Sequence, residues 1–307
     1  MMKKRIQFSK GFLPCAILSL VVIAVGIFSI VTRGINFSID FKPGYIEEVQ
    51  ISSNPSVEDV RAALSGVSGA SVKAVGAGDA AAYQIRIGAD KSSDALGTIN
   101  AALNNAYGAD KIDVLKTDFI GSQLSKTLGF QSILLLIGTM LCIWAYATLR
   151  FRWDFALGAI VALVHDCLIM FAFLAFFQVE FSTTSIAAVL TIIGYSINDT
   201  VVILDRVREN IQTLDDAKTF KDVINQSLSD TFSRSVITTV TTLFAVVSLY
   251  IFTTGTIHDF AWALIIGLIS GCYSSIFISS GFISMIRKNW KPVYGLHAFA
   301  KKDKVQK

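Results

Sequence analysis

Six long apolar runs dominate the sequence and limit what the chain can fold into. Each has about 20 residues or more, the length that a helix needs to cross the hydrocarbon core of a membrane. The composition agrees, because only 16% of the residues are charged, whereas soluble domains carry about 25%. The sequence therefore predicts a membrane protein with an all-α bundle of six transmembrane helices. The runs are Phe12–Thr32, Thr127–Leu149, Phe155–Val179, Phe181–Leu204, Ser235–Ile257 and Phe260–Ile286.

The positions of lysine and arginine predict how these helices are oriented. Basic residues precede the first run, separate the second from the third and the fourth from the fifth, and follow the sixth. The opposite short loops, Gln178–Glu180 and His258–Asp259, contain neither residue type. Because basic loops remain in the cytoplasm, we expect both termini there. The first run exceeds a signal-peptide core and no small-residue cleavage site follows it, so we interpret it as a retained helix.

About ninety hydrophilic residues between the first two runs predict one extracytoplasmic domain. Its apolar patterns and turn signals give the order βαββαβ, which is that of a ferredoxin-like α+β unit. The strands are predicted at Tyr45–Ile51, Ser71–Val75, Tyr83–Ile87 and Lys111–Lys116, with a turn at 76–79, one helix opening at Ser56 and another at Ser92–Ala106. The predicted divisions of the chain are 1–33 with the first helix, 34–126 with this domain, 127–286 with the other five helices, and a basic tail at 287–307.

The residues that usually carry enzyme chemistry are missing from the hydrophilic domain. It has no histidine or cysteine and no glycine-rich phosphate loop. The four cysteines all lie in apolar runs, without the spacing of a disulfide framework or a metal site. We therefore predict a protein that is not an enzyme and uses no cofactor, and a domain that binds or moves something.

Asp199 lies inside the fourth apolar run. A charge at the centre of a membrane helix costs roughly 2.5–3.5 kcal/mol unless it is paired, hydrated or neutralised, so such a residue marks a functional site by default. Its distance from the end of the run, at Leu204, places it roughly 8 Å from the cytoplasmic edge. Tyr195 and Ser196 lie four and three positions earlier, on its side of the helix, where they can hydrogen-bond it. Asn198 is a further polar residue of this site. The alternative is a carboxylate that only extends to the interface.

Arg234 is placed at the start of the fifth run, where its simplest role is an interface anchor. The loop between the fourth and fifth runs brings both helices out at the same membrane face, so Arg234 and Asp199 lie at similar depths and can form a charge pair. Thr238 and three further threonines follow on the same run. Their hydroxyls either line a hydrated seam or bond back to their own helix.

Asp166 is the other aspartate within an apolar run, roughly 16 Å deep in the third. Two roles remain open, a buried carboxyl that hydrogen-bonds helix polar groups and a residue of a proton path. His165 precedes it, but neighbouring helix positions point about 100° apart, so the two need not act together. In the sixth run, small residues at spacings of three and four predict close helix packing. They include Gly267, Ser270, Gly271, Ser274 and Ser275.

One long motif and four shorter ones resemble those of a known family. Gly194–Asn210, which contains Asp199, resembles the signature of SecF, a subunit of the Sec protein-export accessory complex. The chain differs from the family at Lys42-Pro43-Gly44, where Thr-Gly-Gly is usual. The other matching blocks are Asn36–Phe41, Val161–Asp166, Ser233–Ser235 leading to Thr241–Leu243, and Tyr273–Ile278.

The resemblance implies a function and partners. The family belongs to the RND superfamily of proton-driven exporters and lies in the bacterial cytoplasmic membrane. It pairs with SecD in a twelve-helix unit and assists the SecYEG channel, with YajC as a further partner and unfolded exported polypeptide as the substrate. Proton flow, or alternatively Na⁺ flow, is expected to drive motion of the outer domains. The family's coupling residues match Asp199 and Arg234, and a second aspartate comes from SecD.

Two other functions fit the sequence. One is a half-size RND-type exporter of small molecules or lipids, which would work without SecD. The other is a structural scaffold of the translocon, in which the polar membrane residues only specify helix packing. Against both, we expect Asp199 to change its protonation during late protein translocation, with Arg234 keeping it ionised in one state and releasing it in another.

Overall fold

Helices and one small sheet make up the computed structural model, which describes residues 6–38, 40–67, 69–75, 82–88, 95–213 and 219–290. The predicted turn at 76–79, the basic residues 3–5 and the basic tail from residue 291 onward lie outside these ranges. Short 3-10 turns occupy Phe8–Lys10 and Ala109–Lys111. The elements are α1 (Phe12–Arg33), β1 (Gly44–Ile51), α2 (Val57–Ala63), β2 (Ser71–Val75), β3 (Ala82–Gly88), α3 (Ala95–Tyr107), β4 (Ile112–Ile120), α4 (Ser122–Arg150), α5 (Trp153–Phe176), α6 (Thr183–Thr213), α7 (Phe220–Phe252) and α8 (Gly255–Ile286).

The six predicted spans are confirmed as helices, which we call the membrane domain. In the described ranges, α1, α4, α5, α6, α7 and α8 are long and apolar enough to cross a membrane. The predicted bounds of the fifth span were wrong. Thr219 and Asp222 form a capping box that starts α7 fifteen residues before Ser235, and Gly255, with φ +65°, separates α7 from α8. Arg234 therefore lies well inside a long helix and not at its start.

Three helices form the centre of the membrane domain. The spans of α5, α6 and α8 are about half buried, whereas α1, α4 and α7 lie at the perimeter with most of their side chains exposed. Small residues permit the closest approaches. A Cβ added at Gly267 of α8 would overlap the side chain of Ile192 on α6, and one added at Gly26 of α1 would overlap Ala172 on α5. The predicted packing role of the glycines is therefore present in the structure.

The substitution Gly267→Ala is expected to destabilise the membrane domain by about 1–3 kcal/mol, because the added methyl group overpacks the α6–α8 contact. Gly194→Ala on α6 is the matched control, since nothing lies within 4 Å of a Cβ added there. The midpoint of thermal unfolding in detergent measures both. Equal midpoints for the two variants would contradict the packing role of Gly267.

The segment between α1 and α4 forms a separate unit, which we call the sheet domain. Its elements follow the order βαββαβ, as the sequence predicts, and the strand order is β2-β3-β1-β4 with every neighbouring pair antiparallel. The predicted Ser56 helix start is present as a full capping box with Asp59. One face of the sheet and the two helices bury a single apolar core. It contains Val49, Ile51, Val60, Leu64, Val67, Val72, Tyr83, Ile85, Ile87, Ile99 and Leu103.

Glu47 is the one acidic residue of β1 that the sheet domain buries almost fully, with 2% of it exposed. Asn100 of α3 donates a hydrogen bond to Oε1 over 3.1 Å, and Oε2 has no hydrogen-bond partner among the described residues. Burial raises the pKa of this carboxyl above the ordinary glutamate value, and the hydrogen bond from Asn100 opposes that rise only partly. Folding therefore makes this carboxyl easier to protonate than it is in the unfolded chain.

Between the ordinary pKa of glutamate and the raised pKa of Glu47, the folded state binds more protons than the unfolded state. The sheet domain therefore becomes less stable as the pH rises through this range. We expect Glu47→Gln to remove the loss and to stabilise the domain at neutral pH by about 1 kcal/mol. Hydrogen exchange of the β1 amides in the full chain, measured across pH, tests this. A variant with the same pH dependence as wild type would refute it.

Candidate functional site

Asp199 faces a cavity enclosed by α6, α7 and α8. The carboxylate is half-buried and interacts electrostatically with Arg234, and Thr238 and Thr239 place their side chains beside it. Arg234 and Asp199 form no direct salt bridge in the described part of the chain. The structure therefore places Arg234 close enough to interact electrostatically with Asp199, although Arg234 does not itself line the cavity. The cavity is lined by Ile192, Tyr195, Ser196, Asn198, Asp199, Thr238, Thr239, Thr241, Thr242, Gly267, Leu268, Gly271 and Cys272.

Most threonine hydroxyls of α7 bond back to their own helix. Thr238 donates to the carbonyl oxygens of Arg234 and Ser235, each over 3.0 Å, and Thr241 and Thr242 donate to carbonyls one turn earlier. Each hydroxyl still has oxygen lone pairs free to face the cavity. Thr238 donates its proton to Asp199 only when it releases a helix carbonyl. The threonine hydroxyls on the cavity wall can therefore accept hydrogen bonds in this conformation. They can donate hydrogen bonds into the cavity only after they release their helix carbonyls.

One side of this site is open. Tyr195 is 48% exposed, and Arg234, Thr238 and Asn198 are also exposed. An arginine and a row of hydroxyls facing hydrocarbon would be costly at membrane depth. These exposed polar side chains share one face of α6 and α7, which the described chain leaves open.

Asp166 lies in a second polar centre, 1% exposed, between α5, α6 and α8. Its carboxylate accepts hydrogen bonds from Ser196 over 2.6 Å and from Ser270 and Ser274 over 2.8 Å each. Nδ1 of His165 lies 3.2 Å from Oδ1. His165 and Asp166 thus touch, although neighbouring helix positions were expected to point apart. The 100° angle between neighbouring helix positions describes only the directions of the Cβ atoms. It does not exclude a contact between the ends of the two side chains, which here approach each other.

The predicted contact of Ser196 with Asp199 is not what the structure shows. Ser196 is 2% exposed and turns its hydroxyl to Asp166 on α5. Gly271 permits this arrangement, since a Cβ on it would lie 3.2 Å from Cβ of Ser196. Ser196 also lines the cavity of Asp199. A single serine therefore separates the two polar centres.

A π-helical turn at Ser274–Ser279 interrupts α8 beside these residues. Such turns are frequent at functional sites, because they shift the register of one helix face. Ser275 reaches Thr200 on α6 at 2.9 Å and donates to the carbonyl of Gly271. The sequence had suggested only packing for the serines of α8. Their spacing of four residues, with Ser270 and Ser274 on one helix face, was the available signal for a polar role.

A buried ion cluster joins the sheet domain to the membrane domain. Arg86 of β3 pairs with Glu180 in the loop between α5 and α6, with side chains 15% and 10% exposed. Lys73 of β2 lies 3.3 Å from Glu180 and also pairs with Asp259 of α8. Burial lowers the pKa of Arg86, while the surrounding carboxylates, including Asp40 and Asp259, oppose that change. We call Lys73, Arg86, Glu180 and Asp259 the ion clamp.

The segment after α1 is attached to the same loop. Ser38 donates its amide to the carbonyl of Phe181 over 2.9 Å, and the amide of Phe181 donates to Asn36 over 2.8 Å. Asp40 accepts from the amide and hydroxyl of Thr183, each over 2.9 Å, and so caps α6. The block Asn36–Phe41 therefore links the exit of α1, the start of α6 and the sheet domain.

Six apolar helices with ionisable side chains buried among them define a multi-pass membrane protein with an intramembrane polar site. Comparisons with known proteins give its family. Residues 99–289 match the family model "Protein export membrane protein SecD/SecF, C-terminal". The chain is 44% identical over 260 residues to protein translocase subunit SecF of Treponema pallidum, which covers 76% of this chain and 62% of that protein. It is 34% identical to SecF of Vibrio alginolyticus, over 91% of this chain and 89% of that one.

A solved structure agrees with these relatives. The crystal structure of SecDF from Thermus, a translocon-associated membrane protein, aligns with a TM-score of 0.81 and 28% identity, over 94% of this chain and 39% of that chain. The chain belongs to the SecD/SecF family of protein-export membrane proteins, and the relatives compared are SecF translocase subunits. It spans about three-fifths of the Treponema relative and about two-fifths of the solved SecDF chain.

Proposed function

We propose that this chain uses the proton-motive force to assist the late steps of protein translocation across the bacterial cytoplasmic membrane. The observation that carries the proposal is the placement of Asp199 in a polar cavity beside Arg234, inside helices long enough to cross a membrane. A carboxyl group in such a place changes charge at a cost that depends on its surroundings, so its protonation can favour one arrangement of the helices over another.

Arg234 is the residue that makes this switch reversible. Its charge favours an ionised Asp199, whereas burial of the carboxyl favours the neutral acid. Because the two groups interact electrostatically without a direct salt bridge, a shift between α6 and α7 would change their attraction. Protonation of Asp199 would release Arg234, and deprotonation would draw it back.

The open side of the site supports SecD as the partner. Exposed polar residues of α6 and α7 at membrane depth require a protein surface with complementary polar groups. The SecDF chain of Thermus aligns with this chain over only 39% of its length, so its remainder is large enough to hold a second helix bundle. A carboxylate from that partner would complete the ion path.

The ion clamp supports a route from the membrane to the exported polypeptide. It fixes β2 and β3 to the loop between α5 and α6 and to the start of α8. Movement of α6 and α8 around Asp199 would therefore move the sheet domain. We assign that domain, from its element and strand order, to the ferredoxin-like class, and place it on the outer face with both termini in the cytoplasm.

Export measured in proteoliposomes tests the function. The chain would be reconstituted with SecD and SecYEG, and a pH gradient or a Na⁺ gradient imposed separately. We expect the pH gradient to accelerate the late phase of export. Equal export with and without either gradient would refute the proposal, and a response to Na⁺ alone would reassign the ion. Export that needs this chain but no gradient would favour the scaffold.

A further inference from the structure

The buried pair of His165 and Asp166 is not used by the function proposed above. Both residues lie on α5, with 6% and 1% of their surfaces exposed, and they contact three neighbouring helices. Buried ionisable groups in a membrane domain are functional candidates when their partners can be named. Here the hydrogen bonds are numerous enough to fix where the protons lie.

The bonds on the α1 side fix the proton on Nε2 of His165. Tyr273 donates its only hydroxyl proton to the carbonyl of Cys15 over 2.6 Å. The hydroxyl oxygen of Tyr273 therefore accepts a hydrogen bond from the hydroxyl of Ser19, 3.0 Å away. This bond takes the single hydroxyl proton of Ser19. The oxygen of Ser19 then accepts from Nε2 of His165 over 2.9 Å. Nε2 must carry a proton, and this chain of bonds ends at a carbonyl that takes up no proton.

On the side facing α6 and α8, the hydrogen bonds are those that the carboxylate of Asp166 accepts. An ionised carboxylate has about four acceptor positions. Three are filled by the hydroxyls of Ser196, Ser270 and Ser274. The fourth faces Nδ1 of His165. A proton on Nδ1 satisfies both groups, so the geometry is that of an imidazolium paired with a carboxylate, neutral as a whole.

We propose that Asp166 and His165 form a second proton-binding site in the membrane domain, connected through Ser196 to the cavity of Asp199. The proposal deepens the proton-coupled function and rests on it for its role in export. The proton bound is the one between Nδ1 and Oδ1. Without it the site holds a neutral imidazole and a carboxylate, which the three serine hydroxyls continue to stabilise.

Loading and release move one proton through Ser196. On release, Nδ1 gives its proton to Asp166, which as a carboxylic acid turns and passes it to Oγ of Ser196. Ser196 gives its own hydroxyl proton to a water molecule in the cavity of Asp199, so one proton leaves and the site becomes singly negative. Loading is the reverse. The hydrogen bonds on the α1 side end at the carbonyl of Cys15, which takes up no proton. Protons therefore enter and leave through Ser196, and the site stores a proton instead of conducting it across the membrane domain.

The donor geometry favours a proton over a metal cation. Ser196 and Ser270 donate to the carboxylate, and Ser274 has both the carboxylate, at 2.8 Å, and the carbonyl of Gly271, at 3.1 Å, as acceptors. A Na⁺ ion would instead need the hydroxyl oxygens turned inward. The ionisable groups that face the pair are Tyr273 of α8, Cys167 on α5 itself and, beyond Ser196, Asp199 of α6. Cys15 of α1 lies next to Tyr273. Among the described side chains at this site, none is a lysine or arginine that would keep Asp166 permanently paired.

Nitrogen NMR of the full chain in lipid bilayers tests the site, since the sequence has only three histidines. His258→Gln and His165→Gln assign the signals. We expect His165 to carry protons on both ring nitrogens at low pH and to lose the one on Nδ1 as the pH rises. The Asp166→Asn variant should lose the Nδ1 proton at every pH. A wild-type His165 with Nδ1 unprotonated throughout would overturn the proposal, and this outcome needs no variant.

Two further variants separate this site from Asp199. Asp199→Asn should leave the His165 titration unchanged, and Ser196→Ala should remove the fast exchange of the Nδ1 proton. If the nitrogen signals of His165 change with added Na⁺ and not with pH, the site binds Na⁺ and the proposal of a proton site is overturned. Because the readout is the histidine ring and not export, failure of the proton-driven export model and failure of this site give different results.

Discussion

We expect Asp199→Asn to abolish the acceleration of export by a pH gradient and to leave the complex with the proposed partner assembled. The amide keeps the size of the carboxyl group and can still form hydrogen bonds, but it cannot take up or release a proton as the pH changes. Export in proteoliposomes should fall to the rate seen without a gradient. Asp113→Asn is the matched control, because Asp113 is exposed on β4 of the sheet domain, outside the membrane helices.

Two outcomes of that experiment would count against the coupling role. Export at the wild-type rate would show that Asp199 need not change its protonation. Loss of the assembled complex, measured by co-purification with SecD, would point to a structural role for the carboxylate. Arg234→Gln should share the export defect. Without the positive charge of Arg234, the carboxyl group of Asp199 would be less likely to release its proton.

We expect Glu180→Gln to loosen the sheet domain from the membrane domain. Removing one partner of a buried ion pair leaves the other charge uncompensated, which costs about 3–5 kcal/mol. Arg86 loses its carboxylate partner in this variant, whereas Lys73 loses Glu180 but keeps Asp259. Hydrogen exchange of the β2 and β3 amides should increase, and gradient-driven export should fall although the membrane site is intact.

An exposed ion pair of the same domain provides the control for the clamp. Glu58 lies 3.7 Å from Arg61, with side chains 77% and 59% exposed. Such surface pairs contribute about 0–1 kcal/mol, so Glu58→Gln should change little. The double variant Arg86→Glu with Glu180→Arg should restore part of the attachment. Equal exchange in Glu180→Gln and Glu58→Gln would show that the clamp does not hold the two domains together.

Local sequence signals predicted the elements of this fold well. The six apolar runs, the order βαββαβ and the capping box at Ser56 depend on residues close together in the chain. The fifth span was misplaced for the same reason. A hydrophobicity pattern identifies the part of α7 that suits a membrane, but the capping box at Thr219 starts the helix earlier, in polar sequence.

The polar centres were only partly predictable. Asp199 and Arg234 could be predicted to interact because the connection between their helices begins and ends at the same membrane face. The contacts of Asp166 with Ser196, Ser270 and Ser274 depend on how α5, α6 and α8 are rotated, which no local pattern specifies. The ion clamp is the extreme case, since its members lie at positions 73, 86, 180 and 259 and are ordinary polar residues in sequence.

The open polar face of α6 and α7 also bears on how much of this protein a cell can hold. A chain without its partner would expose Arg234 and the α7 hydroxyls to lipid, a cost that only another subunit removes. We therefore expect unpartnered chains to insert poorly and to be degraded by membrane proteases. The abundance of this subunit would then follow that of its partner, and the two would be kept in fixed proportion without matched synthesis.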